Sequence, residues 1–311
     1  MTGLPDKFLE RLSKIVAPAD LENVLKTFEG RGPVVIRVNT LKAKQDEVIS
    51  RLNAEGLSPQ PVLAIENAYS CKAEDRGIIM KSPLLAGGFI YIQTASSQLA
   101  CAVLRPKSTE RVLDMCSAPG SKTSQMAALM NNGGEIIALE AVKGRFFKLK
   151  NVLNLLGVAN VRAKICDARR YRPKDVTFDK ILVDAPCSSE GRFCVQEPES
   201  YAYWSERKIK EMKRKQKGIL LRGLELLRQG GELLYSTCTF APEENEEVVS
   251  WALAKMKGVV ELTEIPLEAV GSYPALSRWG KRAFDPSIRR CVRILPQGVW
   301  EAFFLARFKR S

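Results

Sequence analysis

The sequence predicts an α/β protein: a parallel sheet with helices on both faces, preceded by a smaller α+β unit. Three observations predict it. Apolar runs of strand length recur between residues 111 and 238, and amphipathic stretches of helical length separate them. Each run then ends in a segment of turn residues carrying an acid or a cysteine. Apolar strands alternating with helices imply a sheet buried on both sides. Such a doubly wound, Rossmann-like sheet collects ligands at the carboxyl ends of its strands.

Residues 1–85 form the first expected unit. Phe8, Leu9, Leu12, Ile15 and Val16 recur at helical spacing, as do Leu21, Val24, Leu25 and Phe28, until Gly30 and Gly32 break the pattern. VVIRVN (34–39) is a β-branched strand, Asp46 to Leu52 is helical, and extended pieces are expected to about residue 80. Residues 86–311 form the second unit. Its expected strands are RVLDMC (111–116), EIIALE (135–140), NVRAKI (160–165), FDKILVDA (178–185) and GELLYSTC (231–238). The helices between them are Ser121 to Met130, Gly144 to Leu156, Arg207 to Leu227 and Glu243 to Met256. AFFLARF (302–308) is expected to add an edge strand, and no appended C-terminal domain is expected after it.

Composition narrows the chemistry. Apolar residues make up 45% of the 311, enough for a full core, which excludes intrinsic disorder. There is no histidine. That removes Ser-His-Asp hydrolases, Cys-His proteases, His-ligated zinc enzymes and histidine general bases together. Catalysis here must use Cys, Asp, Glu, Lys, Tyr or the backbone. An excess of 48 Lys and Arg over 35 Asp and Glu, net +13, suits a polyanion such as nucleic acid.

The opening MTGLPDKFLERLSK has no apolar core of the secretory type. The uncharged stretch Ser82 to Leu104 reaches membrane-span length, but Gly87, Gly88, Gln93, Thr94, Ser96, Ser97 and Gln98 make it too polar. A soluble, cytoplasmic, monomeric protein without membrane association is expected. The eight cysteines include no CxxC pair, so neither a disulfide framework nor a metal site is expected.

The first strand of the second unit runs into Asp114-Met115-Cys116-Ser117-Ala118-Pro119-Gly120-Ser121-Lys122-Thr123, and a helix follows. Small residues admit a ligand close to the backbone, and a helix N-terminus offers free N–H groups. The second strand ends at Glu140, twenty residues after Gly120, where a carboxylate reaches the hydroxyls of a ribose. Asp167 and Asp184 follow the third and fourth strands. Neither GxGxxG nor a Walker loop is present, so a pyrophosphate ligand is not indicated. An acidic ring suits a ligand with a ribose, a positive charge and no phosphate, as in S-adenosylmethionine. A lone acid at a strand end is more often a helix cap; four in register beside a small-residue loop favour a ligand.

Strands four and five run into Asp184-Ala185-Pro186-Cys187-Ser188-Ser189-Glu190-Gly191 and Tyr235-Ser236-Thr237-Cys238-Thr239. A single cysteine is usually a small buried hydrophobe. Two of them at adjacent strand ends, beside a methyl-donor site, point to covalent catalysis. Carbon 5 of a pyrimidine is too weak a nucleophile to take a methyl from a sulfonium. A thiolate adding to carbon 6 makes carbon 5 enamine-like, and a carboxyl group at N3 stabilises the charge that develops. The carbon-5 proton and the thiol must then leave. A free thiol ionises near pH 8.5, so the attacking cysteine needs activation from something other than histidine.

DMCSAPGSKT, DAPCSSEG and YSTCTFAPEENE, in this order, resemble the signature blocks of the Nol/Nop/Sun family of RNA cytosine-C5 methyltransferases. IRVNTLK (36–42) and GFIYIQTASSQLA (88–100) resemble the blocks that precede them, so the likeness spans nearly the whole chain. It implies a flipped cytosine in rRNA or tRNA as substrate, Cys238 as nucleophile, Cys187 as the release cysteine and Asp184 on the base. It also implies S-adenosylmethionine held by Cys116, Ser117, Ala118, Pro119, Gly120, Ser121, Lys122, Glu140 (ribose), Asp167 (adenine side) and Asp184, with Arg145 a further basic position. DNA enzymes of similar chemistry attack with the Pro-Cys cysteine instead, which argues against DNA.

The N-terminal unit resembles the RRM-like piece that precedes the catalytic domain in this family. LPDKFLERL and APGSKTSQMAALMNN look most similar to the bacterial enzymes that modify 16S rRNA, so rRNA is slightly favoured. Those enzymes carry a C-terminal PUA-like module, and none is expected here. Near the end, Leu295-Pro296-Gln297 and Glu301-Ala302-Phe303-Phe304 depart from the family's usual blocks.

Three sets of cations are candidate RNA contacts. One is the run Arg207, Lys208, Lys210, Lys213, Arg214, Lys215 and Lys217, with Phe193, Tyr201, Tyr203 and Trp204 just before it. The others are Arg278, Lys281, Arg282, Arg289, Arg290 and Arg293, and, in the N-terminal unit, Arg37, Lys42 and Lys44. The competing reading is an RNA-binding ribosome-assembly factor with a vestigial methyl-donor site.

Overall fold

A computed structural model describes residues 3–174, 176–265, 267 and 271–311. Two helices open the chain, α1 (Asp6–Ile15) and α2 (Pro18–Lys26). Their apolar stripe, Phe8, Leu12, Val16, Val24 and Phe28, is buried against Phe193, Phe240, Leu295 and Ala302. The Phe8 and Phe193 rings meet edge to face at 4.9 Å. The opening helices therefore brace the loops of the second unit that carry the cysteines.

A small sheet follows, built from β1 (Val34–Val38), α3 (Gln45–Ala54), β2 (Gln60–Pro61), β3 (Ala68–Cys71), α4 (Arg76–Lys81), α5 (Pro83–Ala86) and β4 (Ile90–Ile92). Its strand order is β2-β3-β1-β4, antiparallel throughout. This is the βαββαβ arrangement of a ferredoxin-like unit. Two details differ from expectation. Residues 76–81 and 83–86 are helical, not extended; Pro83 starts α5 and the Ser82 hydroxyl accepts the Leu84 N–H. And β4 lies beyond the expected boundary at 85/86 yet pairs with β1.

The second half of the uncharged stretch is α6 (Ala95–Leu104), whose Ala95, Leu99, Ala100, Cys101 and Leu104 are buried. No helix among the described residues is long and apolar enough to cross a membrane.

The large sheet is formed by β5 (Arg111–Asp114), β6 (Glu135–Glu140), β7 (Val161–Ile165), β8 (Phe178–Asp184) and β9 (Leu227–Thr237), all parallel in the order β7-β6-β5-β8-β9. Between them lie α7 (Ser121–Leu129), α8 (Lys143–Leu155) and α9 (Glu206–Leu226), and α10 (Glu246–Lys255) follows β9. Short strands complete the chain: β10 (Val260–Thr263), β11 (Ser272–Pro274), β12 (Arg278–Trp279), β13 (Arg282–Ala283), β14 (Val292–Ile294) and the longer β15 (Phe303–Arg310). β15 runs antiparallel to β9 and is not an edge: β14 and β10 pair along its other side. Residues 302–306 are buried in succession, the signature of an interior strand rather than a half-exposed one. The chain reverses direction between β5 and β8, so the crevice falls at the carboxyl ends of these strands.

Candidate active site

The crevice is a cleft of about 600 Å³ lined by the strand ends β5, β6, β8 and β9, the start of α9 and the entry to β15. Of the predicted cofactor loop, Cys116, Ser117, Ala118, Pro119, Ser121 and Lys122 line it, while Gly120 stands behind them. Gly120 has φ +115°, and a Cβ there would press on Val152 at 3.1 Å, so the turn into α7 requires glycine. The Ser117 hydroxyl is engaged by the Leu139 carbonyl at 2.8 Å, which ties the loop to β6.

The acids behave differently from one another. Asp114 is buried outside the cleft, accepting the Thr123 hydroxyl at 2.7 Å and the Cys116 N–H; burial pushes it up to about 6. It fixes the loop and is not a ligand group. Glu140 faces the cleft, accepts the Val142 N–H at 2.8 Å and has Arg145 at 3.6 Å. Asp167 pairs with Arg169 at 2.6 Å, which holds its carboxylate below the usual range. Asp184 accepts Lys122 Nζ at 2.7 Å and the Ser236 hydroxyl at 2.8 Å.

The two cysteines meet at the other end of the cleft. Cys187 Sγ lies 3.4 Å from Cys238 Sγ, and both are partly exposed to it. The pair splits in acidity. The hydrogen bond with Cys187 lowers Cys238 to about 7, with help from the charge of Arg192 and against burial, while Cys187 is pushed well up, first by the same bond. Of the two thiols, Cys238 is the one shifted towards the thiolate.

A buried polar frame holds the two loops together. Glu190 accepts the Thr239 hydroxyl, the Phe240 N–H and the Trp204 indole N–H. Glu244 accepts the Ser188 N–H and the Gln216 amide, and burial pushes it up to about 8. Gly191 donates to the Cys238 carbonyl at 3.0 Å; a Cβ there would come within 2.8 Å of Ala302. Sequence reasoning missed Glu190, Gly191, Arg192 and Glu244 as working parts, although all four stand inside the quoted cysteine blocks or next to one.

Several expected RNA contacts are spent on the fold. Arg37 is buried and donates to Gln93 and to the Ser124 hydroxyl, joining the small sheet to α7 through the polar residues that interrupt the uncharged stretch. Arg293 is buried in a bidentate pair with Glu246, both contacts 2.6 Å. Neither is free to grip a phosphate. On α9, Lys213 and Lys217 pair with Glu247, whereas Lys208 and Lys215 line the cleft. Tyr203, in the turn that precedes α9, is 87% exposed.

A doubly wound sheet closed by an antiparallel strand, with a small-residue loop and carboxylates at its switch point, fits a methyltransferase. The chain belongs to the 16S rRNA methyltransferase RsmB/F family, whose description matches residues 101–309, and the ferredoxin-like domain of RsmF/B-like methyltransferases matches residues 4–70.

Among similar proteins, a tRNA (cytosine(49)-C(5))-methyltransferase of Pyrococcus abyssi is 38% identical over 88% of this chain and 87% of its own length. A human 28S rRNA (cytosine(4447)-C(5))-methyltransferase is 33% identical over 98% of this chain. Ribosomal RNA small subunit methyltransferase F of Vibrio parahaemolyticus is 31% identical over 99%. The chain spans only 38% and 63% of the length of the last two. A crystal structure of a methyltransferase homolog from Pyrococcus horikoshii superposes with a TM-score of 0.85 at 33% identity, covering 100% of this chain and 96% of that one. NSun6 from the same organism, solved with SFG, shares the fold at a TM-score of 0.84 and 23% identity, over 99% of each chain.

Proposed function

We propose that this chain methylates carbon 5 of a cytosine in RNA, with Cys238 as nucleophile and Cys187 as the release cysteine. The observation that carries the reading is the 3.4 Å contact between two thiols of split acidity in the same cleft as the small-residue loop. S-adenosylmethionine, when bound, supplies the methyl group. The donor set fits it: carboxylates without a phosphate cradle, and cations already matched by acids. Loop residues 116–122 would hold it, with Glu140 at the ribose and Asp167 towards the adenine.

The chain's own residues account for the rest. Cys238 as thiolate forms a bond to carbon 6 of the flipped base, which raises electron density at carbon 5. Asp184 faces the base at N3, oriented by Lys122 and Ser236. Water in the cleft takes the carbon-5 proton, the electrons of that C–H bond restore the 5,6 double bond, and the Cys238–carbon 6 bond breaks to return Cys238 as thiolate; Cys187 Sγ, 3.4 Å away, hydrogen-bonds the leaving sulfur. Lys208 and Lys215 in the cleft suit a single strand through charge, and the exposed Tyr203 ring, shortly before α9 in the chain, suits stacking. We place the protein in the cytoplasm, where its eight free thiols stay reduced.

Two substrate classes are in play. The sequence blocks favour rRNA, whereas the relative whose length this chain nearly spans is by name a tRNA enzyme. Incubation with S-adenosylmethionine and total RNA from a strain lacking the gene, followed by bisulfite sequencing, separates them. One newly protected cytosine in tRNA or in 16S rRNA is expected. Absence of any site in free RNA and in 30S subunits overturns the reading in favour of an assembly factor.

A further inference from the structure

We propose that the Arg192 guanidinium holds Cys238 in its thiolate form, standing in for the histidine the chain lacks; this rests on the reading of Cys238 as nucleophile. Arg192 ends a 3₁₀ turn, Glu190–Arg192, that is fastened to the cysteine it would serve. Gly191 donates to the Cys238 carbonyl at 3.0 Å, and Glu190 takes the Thr239 hydroxyl at 2.8 Å and the Phe240 N–H at 3.1 Å. Three bonds to residues 238–240 thus fix the start of the Arg192 side chain beside Cys238, and both side chains line the cleft.

The other cations of the cleft are committed elsewhere. Lys122 lies 2.7 Å from Asp184, Arg145 3.6 Å from Glu140 and Arg169 2.6 Å from Asp167. Lys208 and Lys215 share Glu211, at 3.6 and 2.7 Å. Among the described residues, Arg192 is the one cation lining this cleft with no carboxylate within ion-pair distance. An unmatched guanidinium, always charged, attracts a developing thiolate. Facing Cys238 from the surrounding elements are Cys187, Asp184 with its Lys122, Glu301 and, behind Cys187, Glu244. Cys187 lies within hydrogen-bond distance of the sulfur, at 3.4 Å, whereas Asp184 and Glu301 oppose its ionisation, and the charge of Arg192 offsets them. Arg192 acts through Cys238 and is a positioning residue.

The test follows alkylation of Cys238 by iodoacetamide from pH 5.5 to 9, read by peptide mass spectrometry, for the unaltered chain, Arg192→Met and Arg192→Lys. Neither RNA nor S-adenosylmethionine is present. The unaltered chain should reach half its maximal rate near pH 7. Arg192→Met should move that midpoint up by about one unit, slowing alkylation roughly tenfold below it, and Arg192→Lys should restore most of the shift. A thermal melt confirms folding; Arg192→Gln replaces Arg192→Met if that variant does not fold. Coincident midpoints for the unaltered and uncharged variants overturn the proposal, whatever the methylation assay shows. Expected alkylation without methylation of any RNA overturns the methyltransferase reading and leaves the Arg192 contact standing.

Discussion

The two ends of the cleft balance charge in opposite ways. At the cofactor end, Lys122, Arg145 and Arg169 each have an acid within ion-pair distance, and the matching acids Glu140, Asp167 and Asp184 are the groups read as ligand-facing. At the cysteine end, the buried acids Glu190 and Glu244 are met by neutral donors from Thr239, Trp204, Ser188 and Gln216, and the nearby cation Arg192 has no carboxylate partner among the described residues. A site built to hold a cationic ligand needs its own cations neutralised beforehand. A site built to make a thiolate needs a cation left over.

Three substitutions sharpen this comparison. Cys238→Ala should abolish methylation, by on the order of a thousandfold or more, while S-adenosylmethionine binding by calorimetry stays intact. Loss of both together would mean that the two ends are not separable. Lys122→Met leaves Asp184 without its partner between the two ends. Methylation should fall about a hundredfold, and a fall of under threefold would remove this ion pair from the chemistry.

The smallest effect concerns pH and stability. Burial raises Glu244 to about 8 from an ordinary 4.5, so the folded state binds more protons than the unfolded one between these values. Stability from this group is full below pH 4.5 and is lost as pH rises towards 8. Glu244→Gln should flatten that decline, visible as a loss of a few degrees in the pH dependence of Tm. Asp114, raised by burial to about 6, should leave its own lower-pH slope untouched in the same variant.

The difference between the ends also marks what could be read in advance. Strands β5 to β9 and the loops after them were legible because apolar runs followed by turn residues leave a local signature. Every loop residue expected at the cofactor end lines the cleft except Gly120, whose part is the turn itself. Long-range pairing left no such mark. Nothing local distinguishes Arg293, buried on Glu246 forty-seven residues away, from a surface arginine, and the same holds for Arg37. Nothing local in the sequence marks Arg192, because its meaning lies in the carboxylate partner it lacks among the described residues. β15 was recognised as a strand, but periodicity does not say which strands flank it. The polar residues that exclude Ser82–Leu104 from a membrane proved to be the joint itself: Gln93 bridges Arg37 and Gln125, and Gln98 caps Gln93.

The most direct test of the division of labour between the thiols is a denaturing gel of protein incubated with S-adenosylmethionine and substrate RNA. Cys187→Ala should accumulate a slow-migrating protein–RNA adduct, because release is blocked after Cys238 has bonded to carbon 6. Cys187→Ala combined with Cys238→Ala should show none. An adduct that persists without Cys238, or that forms in Cys238→Ala with Cys187 intact, would contradict the assignment of Cys238 as the nucleophile.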